Sequence, residues 1–175
     1  MPDIATALAK LICAVMYGPG LDLDEVIENL EDAFGLIESK SRTFDFKHTD
    51  YYAAEMGPDL KKFLISFEKL FPAEDLWLAK QTARDIEQVF SVNGKRRVNL
   101  DPGYVESSKL VLASTKNFSH RIYLRNGIWA EVTLIYADRQ FVKLPWTYPD
   151  YLEPQVLQFL TGVREALKNT DQSSR

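Results

Sequence analysis

The chain has 175 residues, 46% hydrophobic and 26% charged, with a net charge of −4. That is room for one domain with a core that needs neither metal nor disulfides, and the acidity disfavours bulk nucleic-acid binding, which needs a concentrated positive surface. One cysteine, Cys13, excludes an intrachain disulfide and a thiolate zinc site, and two histidines, His48 and His120, exclude a His-rich metal site.

Leu11 to Tyr17 is a continuous apolar run that suits a strand buried on both faces. Gly18-Pro19-Gly20 breaks it. Asp22 and Glu25 then open a helix whose apolar positions are Leu23, Val26, Ile27, Leu30 and Phe34, with Gly35 as its stop. Arg42 to Phe46 alternates as a short strand, and Lys62 to Phe71 as a longer one with Phe63, Ile65, Phe67 and Phe71 on one parity. Ala73 to Phe90 has helical spacing, and Asn93-Gly94 is a turn. Lys95 to Leu100 is the next strand, with Val98 and Leu100 facing one way and Arg97, Asn99 and Asp101 the other. Pro102-Gly103 ends it, and Tyr104 to Thr115 reads as a short helix.

Asn126-Gly127 lies between two β-rich runs, His120 to Leu124 and Ile128 to Tyr136. Both central residues of a type I′ turn need positive φ, so this pair marks a hairpin. Gln140 to Leu144 adds a third strand, and Pro154 starts a final amphipathic helix through Val156, Phe159, Leu160, Val163 and Leu167. The first six elements follow the order β-α-β-β-α-β of the ferredoxin-like pattern. The expected class is therefore α+β. A ferredoxin-like βαββαβ core carries an antiparallel sheet, extended by a C-terminal hairpin or meander and covered by a final helix. Residues 1–168 form a single α+β domain and 169–175 a disordered tail. No run reaches the roughly 18–20 apolar residues that span a bilayer. Met1 to Ala5 lacks the basic start of a signal peptide, so a cytoplasmic location is expected, with no membrane partner.

The net charge hides an asymmetry. Residues 21–90 carry −8, whereas residues 91–125 carry +5. Such a basic segment suits an anionic ligand, and Arg is well shaped for phosphate or carboxylate. The candidate ligand-binding residues are Arg97, Asn99, Asp101, Lys116 and Arg121. A regular two-residue hairpin pairs Arg125 with Ile128, Ile122 with Glu131 and His120 with Thr133. It puts His120 and Glu131 on one face, where they are a candidate catalytic acid/base pair. The same parity puts Arg121 on the opposite face, so these groups cannot all line one open surface. Leu144 to Tyr151 is rich in proline and aromatics and suits a lid over the core or a contact surface. No phosphate loop, dinucleotide fingerprint or EF-hand loop is present, and no cofactor is expected. The carboxylates Glu68, Asp101 and Glu131 have no spacing specific to a metal.

The run Gly94-Lys95-Arg96-Arg97-Val98-Asn99-Leu100-Asp101-Pro102-Gly103-Tyr104 resembles a prokaryotic family known as a domain of unknown function, DUF4416. The segments from Thr115 to Leu124 and from Leu144 to Tyr151 strengthen the likeness, as do Phe44-Asp45-Phe46, Asp50-Tyr51-Tyr52, Glu55-Met56-Gly57-Pro58 and Ser66-Phe67-Glu68. The likeness covers nearly the whole chain and implies no catalytic residue. Two functions follow as expectations. In the first, a cytosolic protein binds an anionic small molecule, a nucleotide or phosphorylated metabolite, on a basic and polar sheet surface. In the second, a non-catalytic protein-interaction module uses a sheet edge or the Trp146 to Tyr151 segment. RNA binding ranks below both, because aromatics at the spacing of an RNA-binding sheet are missing.

Overall fold

A computed structural model describes residues 6–173, the last three by backbone alone. Residues 1–5, read above for signal-peptide character, and 174–175, the end of the expected tail, lie outside the described residues. Nine strands form one sheet: β1 (Leu8–Tyr17), β2 (Ile37–Lys40), β3 (Phe44–Asp45), β4 (Lys61–Pro72), β5 (Val98–Val105), β6 (Lys109–Ser114), β7 (Arg121–Arg125), β8 (Ile128–Ala137) and β9 (Gln140–Lys143). The helices are α1 (Leu23–Phe34), α2 (Ala53–Met56), α3 (Leu76–Val89) and α4 (Pro154–Ser173). The last continues as helical backbone into the first part of the expected tail. The strand order is β2-β4-β1-β5-β6-β8-β7, with β3 also on β4 and β9 also on β8. Every pairing is antiparallel, which fits the α+β class.

The pleat of β1 divides the core. Leu11, Cys13 and Val15 face α1 and α3 with Phe63, Ile65 and Phe67 of β4 and Val98 and Leu100 of β5. Ile12 and Ala14 face the other way, against Val156, Phe159, Leu160 and Val163 of α4. Both faces of β1 are thus buried, which is why Leu11 to Met16 is an unbroken apolar run, and the buried Lys10 before it is paired with Glu38. α1 begins where Asp22 accepts a hydrogen bond from the Asp24 amide at 3.0 Å.

Four expectations need correction. Tyr104 to Thr115 is not a helix: β5 continues to Val105, and β6 returns after a tight turn at Ser107-Ser108, where the Glu106 amide bonds the Lys109 carbonyl. Pro102 does not end β5. β6 pairs with β5 only from Gly103 onward. The amide and carbonyl of Leu100 point away from β1, to α3 side chains. By the two-residue alternation the Pro102 nitrogen faces that same open side, where no strand needs its missing N–H. The strand expected from Lys95 begins only at Val98, after a turn with positive φ at Asn93 and Gly94. The strand expected over Arg42 to Phe46 shortens to the two-residue β3, and β2, which lies before it at Ile37–Lys40, was not expected; both pair with β4.

Candidate functional site

Strand register lays out a polar floor. On the α4 face, Met16 of β1 lies between Asn99 of β5 and Lys62 of β4, and Ala14 lies between Asp101 and Leu64. α4 covers the Ala14 side of this face and leaves the Met16 end open. Walls rise around that end from three segments: Phe46 to Tyr52, Leu112 to Lys116 with Arg121 and Glu131, and Tyr148 to Tyr151. They enclose a cavity of about 450 Å³, the size of a small-molecule site. Five cations line it (Lys62, Lys80, Arg96, Lys116, Arg121) against three carboxylates (Asp101, Glu131, Asp150).

The floor holds its charges as pairs. Lys62, buried, pairs with the buried Asp150 carboxylate. Its ammonium also lies 5.5 Å from the centre of the Phe46 ring and 4.9 Å from that of Tyr151. Lys80 comes from α3, across the sheet. It reaches the floor because β6 leaves the first half of β5 unpaired. Its ammonium donates to the Leu100 carbonyl and to Asp101 Oδ1, both at 2.9 Å, while Glu87, on the same face of α3 two turns on at i+7, accepts from the Leu100 amide at 2.7 Å. Two α3 side chains thereby finish the hydrogen bonding of a strand edge. Burial pushes the Asp101 carboxyl up, but the Lys80 and Lys62 ammonium groups, with hydrogen bonds from Lys80 and Asn99, outweigh it and hold the group below its ordinary value. Burial pushes Glu87 up.

A second chain of bonds closes the floor towards α2. The Arg96 guanidinium grips both oxygens of Glu55, at 2.8 Å each, and donates to Asn99 Oδ1 at 2.8 Å. Asn99 passes the chain on, donating to Asp101 Oδ2 at 2.8 Å. The hydrogen bond from Arg96 holds the Glu55 carboxyl below its ordinary value. The Tyr151 hydroxyl, near Asp101 and Asp150, is buried without a hydrogen-bond partner among the described residues.

The rim differs. Lys116 donates to the Tyr51 hydroxyl at 2.7 Å and lies 4.3 Å from the centre of its ring, and no carboxylate among the described residues comes within ion-pair distance of it. The hydrogen bond from Lys116 lowers the Tyr51 phenol. Arg121 is fixed on three sides: Nε donates to Glu131 at 2.9 Å, and its other nitrogens donate to the Lys116 carbonyl at 2.8 Å and the Tyr148 hydroxyl at 3.3 Å. Glu131 also accepts from His120 Nε2 at 2.8 Å and from Thr133 at 3.1 Å. His120 stacks on Trp146 with ring centres 4.5 Å apart, and the Trp146 N–H donates to the Val132 carbonyl.

The expected site residues sort into three groups. Asn99, Asp101, Lys116, Arg121 and Glu131 come together in the cavity. Arg121 does so against expectation. Arg121, not Ile122, stands opposite Glu131, because Leu124 is an extra residue between the pairs Tyr123–Trp129 and Arg125–Ile128. A bulge of one residue moves every side chain beyond it to the other face. His120 touches Glu131 from behind and lies outside the cavity wall. Arg97 does not join the site: it precedes the strand, so alternation does not govern it, and it donates to the Gly20 carbonyl. Its neighbour Arg96 takes the place expected of it. Lys62 and Lys80 carry no sequence signal, since their partners lie far along the chain, whereas Tyr51 and Asp150 lie in segments that carry the family likeness without marking a role. Arg96 was the one legible omission, through the Lys95-Arg96-Arg97 cluster.

Among the described residues, no three His, Cys, Asp or Glu side chains group to hold a metal ion. No helix among them is long and apolar enough to cross a membrane. A family model with the description "Domain of unknown function (DUF4416)" matches residues 7–167. No curated protein and no solved structure matches the chain.

Proposed function

The chain belongs to the family described as a domain of unknown function, DUF4416, and from that premise we propose that it binds an anionic small molecule, a nucleotide or phosphorylated metabolite, in this cavity. One observation carries the reading: the Lys116 ammonium stands at the rim bonded to a phenol, with no carboxylate among the described residues within ion-pair distance, beside an Arg121 already held in place. A pre-positioned positive pair in a concave site attracts a dianion without paying for side-chain ordering. Arg96, Asn99 and Asp101 form the floor beneath it. Glu131 and His120 act as positioning residues for Arg121, because the Glu131 carboxylate is already engaged by three donors. We read Leu8 to Val105 as a ferredoxin-like unit, supported by the order β2-β4-β1-β5 with α1 and α3 on one face, and β6 to β9 as its extension.

Thermal-shift titration with inorganic phosphate, pyrophosphate, sugar phosphates and nucleotides tests the site. Wild type and Arg97→Ala should gain equal melting temperature from whichever phosphate compounds bind. Lys116→Met should lose most of that gain. Equal gains in wild type and Lys116→Met would reject the site. A second reading, a protein contact, is favoured by edge strand β7, where Ile122 is 71% and Tyr123 57% exposed. The Trp146 to Tyr151 segment supports it less, since Trp146 and Tyr151 are committed inward.

A further inference from the structure

We infer that the ligand is a phosphorylated polyhydroxy compound, a sugar phosphate, with its phosphate at Lys116 and Arg121 and its hydroxyls on the floor around Lys62 and Asp150. This rests on the anion-site reading and narrows it.

Charge is separated within the cavity. On the floor, Lys62 is matched by Asp150 and Lys80 by Asp101. A phosphate placed there meets two carboxylates at close range. At the rim, Arg121 is matched by Glu131, but Lys116 has no such match among the described residues, so the phosphate belongs at Lys116 with Arg121 beside it.

Hydrogen-bonding capacity is left over on the floor. Lys62 has three N–H groups and spends one on a protein oxygen, Asp150 Oδ2. Asp150 Oδ1 carries no hydrogen bond from the described residues. Asn99 has a second amide hydrogen beyond the one given to Asp101. Donors and an acceptor therefore sit side by side. A hydroxyl, which donates once and accepts twice, satisfies both, whereas a carbonyl or a second anion satisfies only the donors.

A nucleobase gains most of its affinity by lying flat on aromatic faces. Here the rings in contact meet edge-on: Phe46 with Tyr52 at 72°, Tyr51 with Tyr52 at 86° and Phe46 with His48 at 69°. The Lys62 ammonium already lies over Phe46 and Tyr151, and that of Lys116 over Tyr51. No two of these rings lie parallel to sandwich a base. Such walls still pack against the C–H groups of a sugar ring.

Calorimetric titration of the full chain with inorganic phosphate, ribose 5-phosphate, glucose 6-phosphate and adenosine 5′-monophosphate tests this. At least one sugar phosphate should bind ten or more times tighter than inorganic phosphate, and the nucleotide no tighter than that sugar phosphate. The joint replacement of Lys62→Met and Asp150→Leu removes both members of the floor pair, and it should bring the sugar phosphate to within about twofold of phosphate itself. Tyr52→Phe, which keeps the packing and removes one hydroxyl from the wall, serves if the joint variant does not fold, and should cost the sugar phosphate more than phosphate. If phosphate binds while no sugar phosphate binds tighter, or the nucleotide binds tenfold tighter than any of them, the sugar assignment is overturned and the anion site stands. If none of the four binds wild type, both fall.

Discussion

At the scale of single residues, Lys80 and Arg97 make an instructive pair. Both are cations, and only Arg97 stood out in the sequence. Lys80 is buried and bonds the partly buried Asp101 carboxylate and a strand carbonyl that no other strand among the described residues reaches. Removing one partner of a fully buried ion pair leaves the other charge uncompensated and costs about 3–5 kcal/mol, and the residual exposure of Asp101 discounts this to about 2–3 kcal/mol. Lys80→Met should therefore lower unfolding free energy in urea by that order. Arg97→Ala gives up a hydrogen bond to Gly20 at the surface and should change it by about 0.5 kcal/mol or less. Comparable losses for the two would mean that Lys80 does not complete the edge of β5.

At the scale of elements, two glycines separate backbone conformation from steric fit. Gly127 has φ +75°, and an added Cβ would meet nothing within 4 Å. Gly127→Val should cost about 1–3 kcal/mol through conformation alone. Gly103 faces Leu112 where β6 joins β5, and a Cβ there would fall 2.5 Å from the Val111 carbonyl oxygen. Gly103→Ala should therefore destabilise at least as much as Gly127→Val although the side chain is smaller. Urea melts of the two variants check the order, and a neutral Gly103→Ala would show that β5 and β6 can part.

The same hairpin shows what the sequence could reveal. The Asn126-Gly127 turn was legible, because positive φ at two successive residues restricts the residue types that fit. The bulge at Leu124 was not, because an apolar residue in a β-rich run carries no mark of being unpaired. That single hidden residue reversed the face of Arg121. The parity of Asn99 and Asp101 was legible for the complementary reason: Val98 and Leu100 between them are buried apolar residues. The hairpin between β5 and β6 was missed because Ser107-Ser108 is a weak turn signal and its apolar residues fit either period. The pairs Lys62–Asp150 and Lys80–Asp101 join β4 to the approach to α4 and α3 to β5. Only the fold brings such distant positions together.

At the scale of the whole molecule, the acidic first half and the basic centre meet across the structure, and that meeting makes stability depend on pH. Arg96 from the basic segment grips Glu55 from the acidic one, and Lys80, a base of the acidic segment, grips Asp101, an acid of the basic one. Asp101 and Glu55 are both held below their ordinary values. A carboxyl lowered by folding binds its proton more weakly in the folded chain than in the unfolded one. Its contribution is complete above the ordinary carboxylate range, near pH 4, and is lost as the pH falls through the lowered folded value. Glu87, pushed up by burial, works the other way: its contribution is complete at low pH and is lost as the pH rises through its raised value. Urea unfolding of wild type should thus weaken below about pH 4. Because Glu55 is partly exposed, Glu55→Gln should lose up to about 1 kcal/mol at pH 7, and the gap to wild type should close as the pH falls. Glu87→Gln should flatten any decline of stability with rising pH above the carboxylate range. A Glu55→Gln gap that stays constant from pH 7 to pH 3 would show that the Arg96 grip contributes packing, and that the charge asymmetry of the sequence is not coupled to folding through this pair.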